Sequence, residues 1–156
     1  MPSGTPAALA VMERVVTVIG AITSGVDYDT DVALSKLGDE SILDQEIFPC
    51  AIVSPFENSH SDDVTNPTDS IESSLTVNVI VALSTYTDGV QKVAKFVRDV
   101  WQSLLADHQL GGVCRDWRMS SESYWVVQRD TNAIHGADVR FRVIYRTDRG
   151  NLNEAI

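Results

Sequence analysis

The chain has 156 residues, 44% of them hydrophobic and 22% charged, and a formal net charge of −10. That length suits one domain, residues 1–156, with enough apolar material to bury a core without disulfide or metal staples. The negative charge argues against sequence-independent binding of nucleic acid, which needs cations beside phosphates, and no sequence-specific nucleic-acid contact is expected either. No apolar run reaches the roughly eighteen residues of a membrane span. Residues 7–22 lack a basic leader and are interrupted by Glu13 and Arg14, so no secretory signal is expected.

In chain order, residues 1–6 read as a flexible lead-in. Thr5 and Pro6 suit a helix start, with proline at the first helical position. Leu9, Met12, Val16 and Ile19 then recur at helical spacing, with Val15 and Ile22 beside them, and Ser24-Gly25 suits the stop. Residues 26–46 are polar and acidic. Residues 47–54 read as a strand, with Pro49 favouring its start or an edge position. Residues 55–70 read as a long polar loop, of the kind that is functional or disordered when it occurs in a compact domain.

Leu75, Val77, Val79, Val81 and Leu83 alternate with smaller or polar residues, which predicts a half-buried strand. Thr87 caps a second expected helix, with Val90, Val93, Val97, Trp101 and Leu104 on one side and Lys92, Lys95, Asp99 and Gln102 on the other. Asp88–Lys92 and Lys95–Asp99 are spaced for weak ion pairs. Gly111-Gly112 is the expected end. Two strands follow: one between residues 113 and 129, bent or bulged near Met119-Ser120-Ser121, and one over residues 137–147, joined by a loop over residues 130–136. Residues 148–156 read as a loose tail. The order α-β-β-α-β-β predicts an α+β domain, with a mainly antiparallel sheet of about four strands and two helices packed on one face.

No catalytic constellation, cofactor motif or metal-ligand spacing stands out. There is no Gly-rich phosphate loop and no nucleophile elbow. His60, His108 and His135 lack second ligands at metal spacing. Asp27, Asp29 and Asp31 begin like a calcium loop, but Val32 stands where the turn needs glycine and Gly38 where the bidentate glutamate should be. Cys50 and Cys114 read as reduced core thiols of a cytosolic protein.

Charge is unevenly spread. Residues 1–75 hold thirteen acidic and two basic groups, and residues 76–156 hold nine acidic and ten basic ones. Complementary faces on one chain permit head-to-tail contacts between copies. Arg140, Arg142 and Arg146 share one face of the last strand, where guanidinium forks could meet a neighbour's carboxylates. Asp62 and Asp63 in the long loop are candidate acidic partners. Tyr124 and Trp125 are strand neighbours and face opposite ways, so one of them points outward, and Trp125 is the candidate anchor. These six residues are the expected interface.

The strand over residues 75–83, the helix carrying Val93, Val97 and Trp101, and the final strand Ala137-Asp138-Val139-Arg140-Phe141-Arg142-Val143-Ile144-Tyr145-Arg146-Thr147 with its polar tail together resemble the tail terminator family of long-tailed phages. The resemblance is one of pattern and size over about half the chain. It implies a structural virion protein and no enzyme. Such proteins assemble in the host cytoplasm as a homo-hexameric ring, cap the tail tube, stop its polymerisation and present a surface to the head–neck connector. The implied partners are further copies of the chain, the tail-tube protein and the connector proteins. A head-closure, neck or tail-tube protein, a non-viral α+β adaptor module and a small enzyme are the alternatives that the residues leave open.

Overall fold

A computed structural model describes residues 6–38, 41–62, 70–85, 87–129, 132–148 and 151–155. The first helix, α1 (Ala7–Gly20), buries Ala7, Val11, Val15 and Ile19. This seam lies one flank away from the expected one. Met12 and Val16 pack at its margin, and Leu9 is only half-buried. A helix apolar on most sides leaves the choice of seam to tertiary packing. α1 stops at Gly20, short of Ser24-Gly25, because Ile22 turns into the core and Asp31 takes the Ser24 amide (2.7 Å) and hydroxyl (2.8 Å). Those two bonds, the backbone one foremost, hold the Asp31 carboxyl below its ordinary value.

The acidic stretch that follows contains a strand that periodicity could not show, β1 (Leu34–Leu37), paired in parallel with β2 (Cys50–Asp62). The crossover carries a 3-10 turn, Ile42–Asp44, in which the Leu43 amide donates to the Ser41 hydroxyl. β2 corrects the expected loop over residues 55–70. Its first part continues the strand to Asp62, and residues 63–69, with Asp63, lie outside the described residues. The ladder between β2 and β3 (Ser70–Thr85) runs unbroken apart from a bulge at Phe56, between Pro55 and Glu57. Proline is tolerated at such an irregularity because it donates nothing to the ladder.

α2 (Gly89–Ala106) starts after Asp88, which sits in the left-handed region (φ 57°) and makes no side-chain cap. The expected cap, Thr87, instead lends its carbonyl to the Thr85 hydroxyl. Val93, Phe96, Val97, Val100, Trp101 and Leu104 are buried, but Val90 is 71% exposed. Asp99 is buried, contrary to its expected place on the solvent side. Its carboxylate accepts the main-chain amides of Asp29 (3.0 Å) and Thr30 (2.9 Å) and pins the 26–33 segment to α2. Lys92 reaches the Thr85 hydroxyl (3.0 Å). The helix ends at Ala106. Gly111 and Gly112, both at positive φ, belong to a separate 3-10 turn, where their conformational freedom is used. The Arg14 guanidinium bridges α1 to Asp107 at 2.8 Å. Burial pushes the Asp107 carboxyl up, but the Gly111 amide and Arg14 outweigh that effect and leave it lowered.

β4 (Asp116–Gln128) bulges between Met119 and Ser121, as expected from the sequence. β5 (Ala133–Asp148) begins four residues before the expected 137, and β6 (Asn151–Ala155) adds to its end, so the expected loose tail forms a strand. The sheet is mostly antiparallel, in the order β1-β2-β3-β5-β4, with β6 on β5. The protein is therefore α+β, with six strands among the described residues where about four were expected.

Both helices cover the face bearing Val53, Val77, Val79, Val139 and Phe141. Trp101 stacks on Trp117 with centroids 5.9 Å apart, and both rings meet Phe141 edge-on. A smaller cluster, Ile42, Cys50, Ile52, Ala82 and Ile134, fills one end of the opposite face beneath the β1–β2 crossover. Among the described residues no helix is long and apolar enough to cross a membrane.

Candidate interaction surfaces

The three arginines of β5 lie on the face away from the helices, on the part that the crossover does not cover. The Arg140 guanidinium sits 3.9 Å over the Phe56 ring, and its Nε donates to the Asn78 side-chain Oδ1 at 3.4 Å. Arg146 pairs with Glu72 at 3.2 Å. Arg142 is exposed, and cross-strand pairing places it opposite Arg118 of β4. Sequence reading misses Arg118, because only the register across the bulge puts it beside Arg142. An acidic protein thus carries four arginines on one open sheet face. Asp62 is the last residue of β2, paired with Ile71 of β3, and is not brought to this cluster by the ladder.

Trp125 is half-buried. Its ring lies so close over Gly136 that an added Cβ there would come within 2.2 Å of it, and its indole donates to Asp138 at 3.3 Å. The outward aromatic of the pair is its neighbour Tyr124, 50% exposed. The Tyr124 hydroxyl donates to Glu122, which also accepts the Trp101 indole N–H. Burial first, and Glu122 second, push the phenol up to about 12.

Tyr124 belongs to a larger feature. β4 is an edge strand of thirteen residues, and among the described residues only one side of it is paired. Trp117 is its only buried residue. Met119, Tyr124 and Val126 point outward on the helix side, each at least half-exposed. On α2, Val90 and Leu105 lie on the same stripe as Trp101, the residue that reaches β4, and both are exposed. These five exposed apolar side chains lie on the helix side of β4 and on the outward stripe of α2, with Glu122 between Met119 and Tyr124 in the β4 row.

The other side of the sheet is also open. β1 pairs only with Cys50–Val53 of β2, and Gly38 adds one more bond to Val53. Beyond that point, among the described residues, no strand pairs with the outer side of β2. Its side chains from Pro55 to His60 are exposed. The inner side is held firmly: Asn58 donates to the Tyr145 hydroxyl (3.0 Å), and His60 meets Ser73 at 2.6 Å.

A cleft of about 460 Å³ opens where the 26–33 segment meets α2 and the end of β3, lined by Asp29, Thr30, Asp31, Thr85, Lys92 and Lys95 among others. Three of its charged groups are engaged with the fold: Asp29 with Arg98, Asp31 with Ser24, and Lys92 with Thr85. Among the described residues no three His, Cys, Asp or Glu side chains gather to hold a metal. Cys50 and Cys114 are buried, and desolvation pushes each thiol up to about 11, so both stay protonated. Among the described residues the open features of the surface are strand edges and exposed apolar side chains. No protein-family model matches the chain, and no curated protein matches it either.

Proposed function

We propose that this protein is a non-enzymatic virion assembly protein, a tail terminator whose copies form a hexameric ring on the end of a phage tail tube. The observation that carries the reading is the β4 edge with the exposed apolar side chains beside it. A long exposed edge strand with apolar side chains is a template for another chain, and natural monomers blunt such edges with charge, proline or a covering loop. In β4 the stretch Tyr124–Gln128 carries neither charge nor proline, and among the described residues no strand pairs with its outer side.

Magnitudes favour pairing over simple apolar contact. Covering each of these half-exposed apolar side chains stabilises a complex by about 1 kcal/mol. Association costs about 4–15 kcal/mol in lost freedom, so five such contacts alone hold little. Main-chain ladder bonds along the edge supply the remainder and fix orientation. Exposed edges and charge asymmetry are what a subunit needs in order to join copies of itself around an axis. A ring of this kind stops a tube by presenting an outer end that accepts no further tube subunit.

The test is to add the purified chain to the growing tail-tube protein of the same genome. The expected result is six-fold rings at tube ends, seen by negative-stain imaging, and tubes that cease to lengthen. Tubes that keep growing, or deletion of the gene with no effect on tail length and head joining, would overturn the proposal.

A further inference from the structure

We propose that the ring is sewn together by heterologous strand pairing, in which β4 of one copy adds to the open outer edge of β2, over Ser54–Asp62, of the next. This rests on the ring reading and identifies the second half of the contact. The two edges lie on opposite sides of one sheet and are both long, which is what head-to-tail joining requires.

Direction fits. β2, β3, β5 and β4 alternate in sense across the sheet. A neighbour related by rotation about an axis near the strand direction therefore meets β4 with an antiparallel β2, and the alternation continues across the junction. Charge fits as well. Residues 113–129 around β4 carry three arginines against two carboxylates, while residues 54–62 of β2 carry two carboxylates, Glu57 and Asp62, and no lysine or arginine. Pairing β4 with a second β4 would bring like-charged edges together and would stop at two copies.

Sterics then set the stagger. β1 already occupies the row beside Cys50–Val53, so the incoming β4 must lie beyond Leu37, alongside Ser54–Asp62. Within one copy the ladders place Ser54 level with Ser121 and Cys50 level with Trp125. Clearing β1 shifts the neighbour by about seven residues, or ~23 Å at ~3.3 Å per residue. Spread over the four strands that each copy contributes, ~4.8 Å apart, that shift means a strand tilt of roughly 50° to the ring axis. Strands of closed barrels tilt by about 35–45°, so a ring built this way is sheared slightly more steeply than a closed barrel.

The stagger brings Ser59 of one copy opposite Ser123 of the next, with Ser121 two residues along, all three on the sheet face away from the helices. The test mixes Ser59→Cys protein with Ser123→Cys protein, and separately with Ser121→Cys protein, and oxidises the assembled rings. A mixed disulfide dimer is expected in at least one mixture and none from any variant alone. The wild-type control should stay unlinked, because both native thiols are buried. Self-linked Ser123→Cys dimers would replace the scheme with β4–β4 pairing. Rings that give no mixed link would overturn it, as would a wild-type chain that stays monomeric at millimolar concentration. The tail reading fails separately: mixed links in rings that do not arrest tube growth leave the strand pairing standing and remove the phage role.

Discussion

On the helix side of β5, Ala137, Val139, Phe141 and Val143 are fully buried, whereas on the other side Arg140 and Arg146 are partly open and Arg142 is exposed. One strand therefore divides its work by parity. Its odd positions hold the molecule together, and its even positions, past the small cluster at Ile134, are left to solvent or to a neighbour. Every structural substitution on the first side should register as stability, and substitutions on the second should register as association.

The sharpest break of this comparison is Phe141→Ala. The ring is fully buried and meets both Trp101 and Trp117 edge-on, at 6.0 and 5.8 Å. Truncation removes that apolar contact and leaves a cavity in the centre of the helix-covered core. The expected loss is about 3–5 kcal/mol in denaturant unfolding. A loss below about 1 kcal/mol would mean that this face is not the one that holds the fold.

Asp99→Ala should come next. It deletes the acceptor of two main-chain amides in a place where water cannot replace it, and bonds to a buried carboxylate are of the stronger kind. A loss of about 2–3 kcal/mol is expected, with faster amide hydrogen exchange confined to the 26–33 segment. Equal exchange in variant and wild type would show that Asp99 is not what fastens that segment.

What sequence reading reveals and what it hides follow the same division. The strand over residues 75–83 is legible because one of its faces is buried and the other is not, which writes period two into the residues. Residues 55–62 also form a strand, bulged at Phe56, but the side chains of residues 55–60 are exposed on both faces, so no apolar period marks them and they resemble a loop. β1 is four residues long, too short for any period. Asp99 reads as a surface charge because its partners are amides seventy residues away in the chain, and amides leave no trace in side-chain pattern. The arginine face of β5 is legible from parity alone. Arg118 is not, because the bulge at Met119 shifts its register, and the choice of Tyr124 over Trp125 as the outward ring depends on Gly136 lying opposite.

The smallest expected effect on stability is the one that separates the two sides of β5 most cleanly. Arg142→Ala removes an exposed side chain set beside Arg118, a like charge, so folding should change by no more than about 0.5 kcal/mol and could gain slightly. Arg146→Ala is the matched control on the same face. It gives up a pair with Glu72 that is partly solvated and worth about 0.5–1 kcal/mol. If the open face serves only solubility, neither substitution changes the assembled mass in native mass spectrometry. If it meets a neighbour's carboxylates, Arg142→Ala weakens assembly while leaving the unfolding midpoint in place. An Arg142→Ala loss above about 1 kcal/mol in unfolding would place that side chain in the scaffold and erase the division by parity.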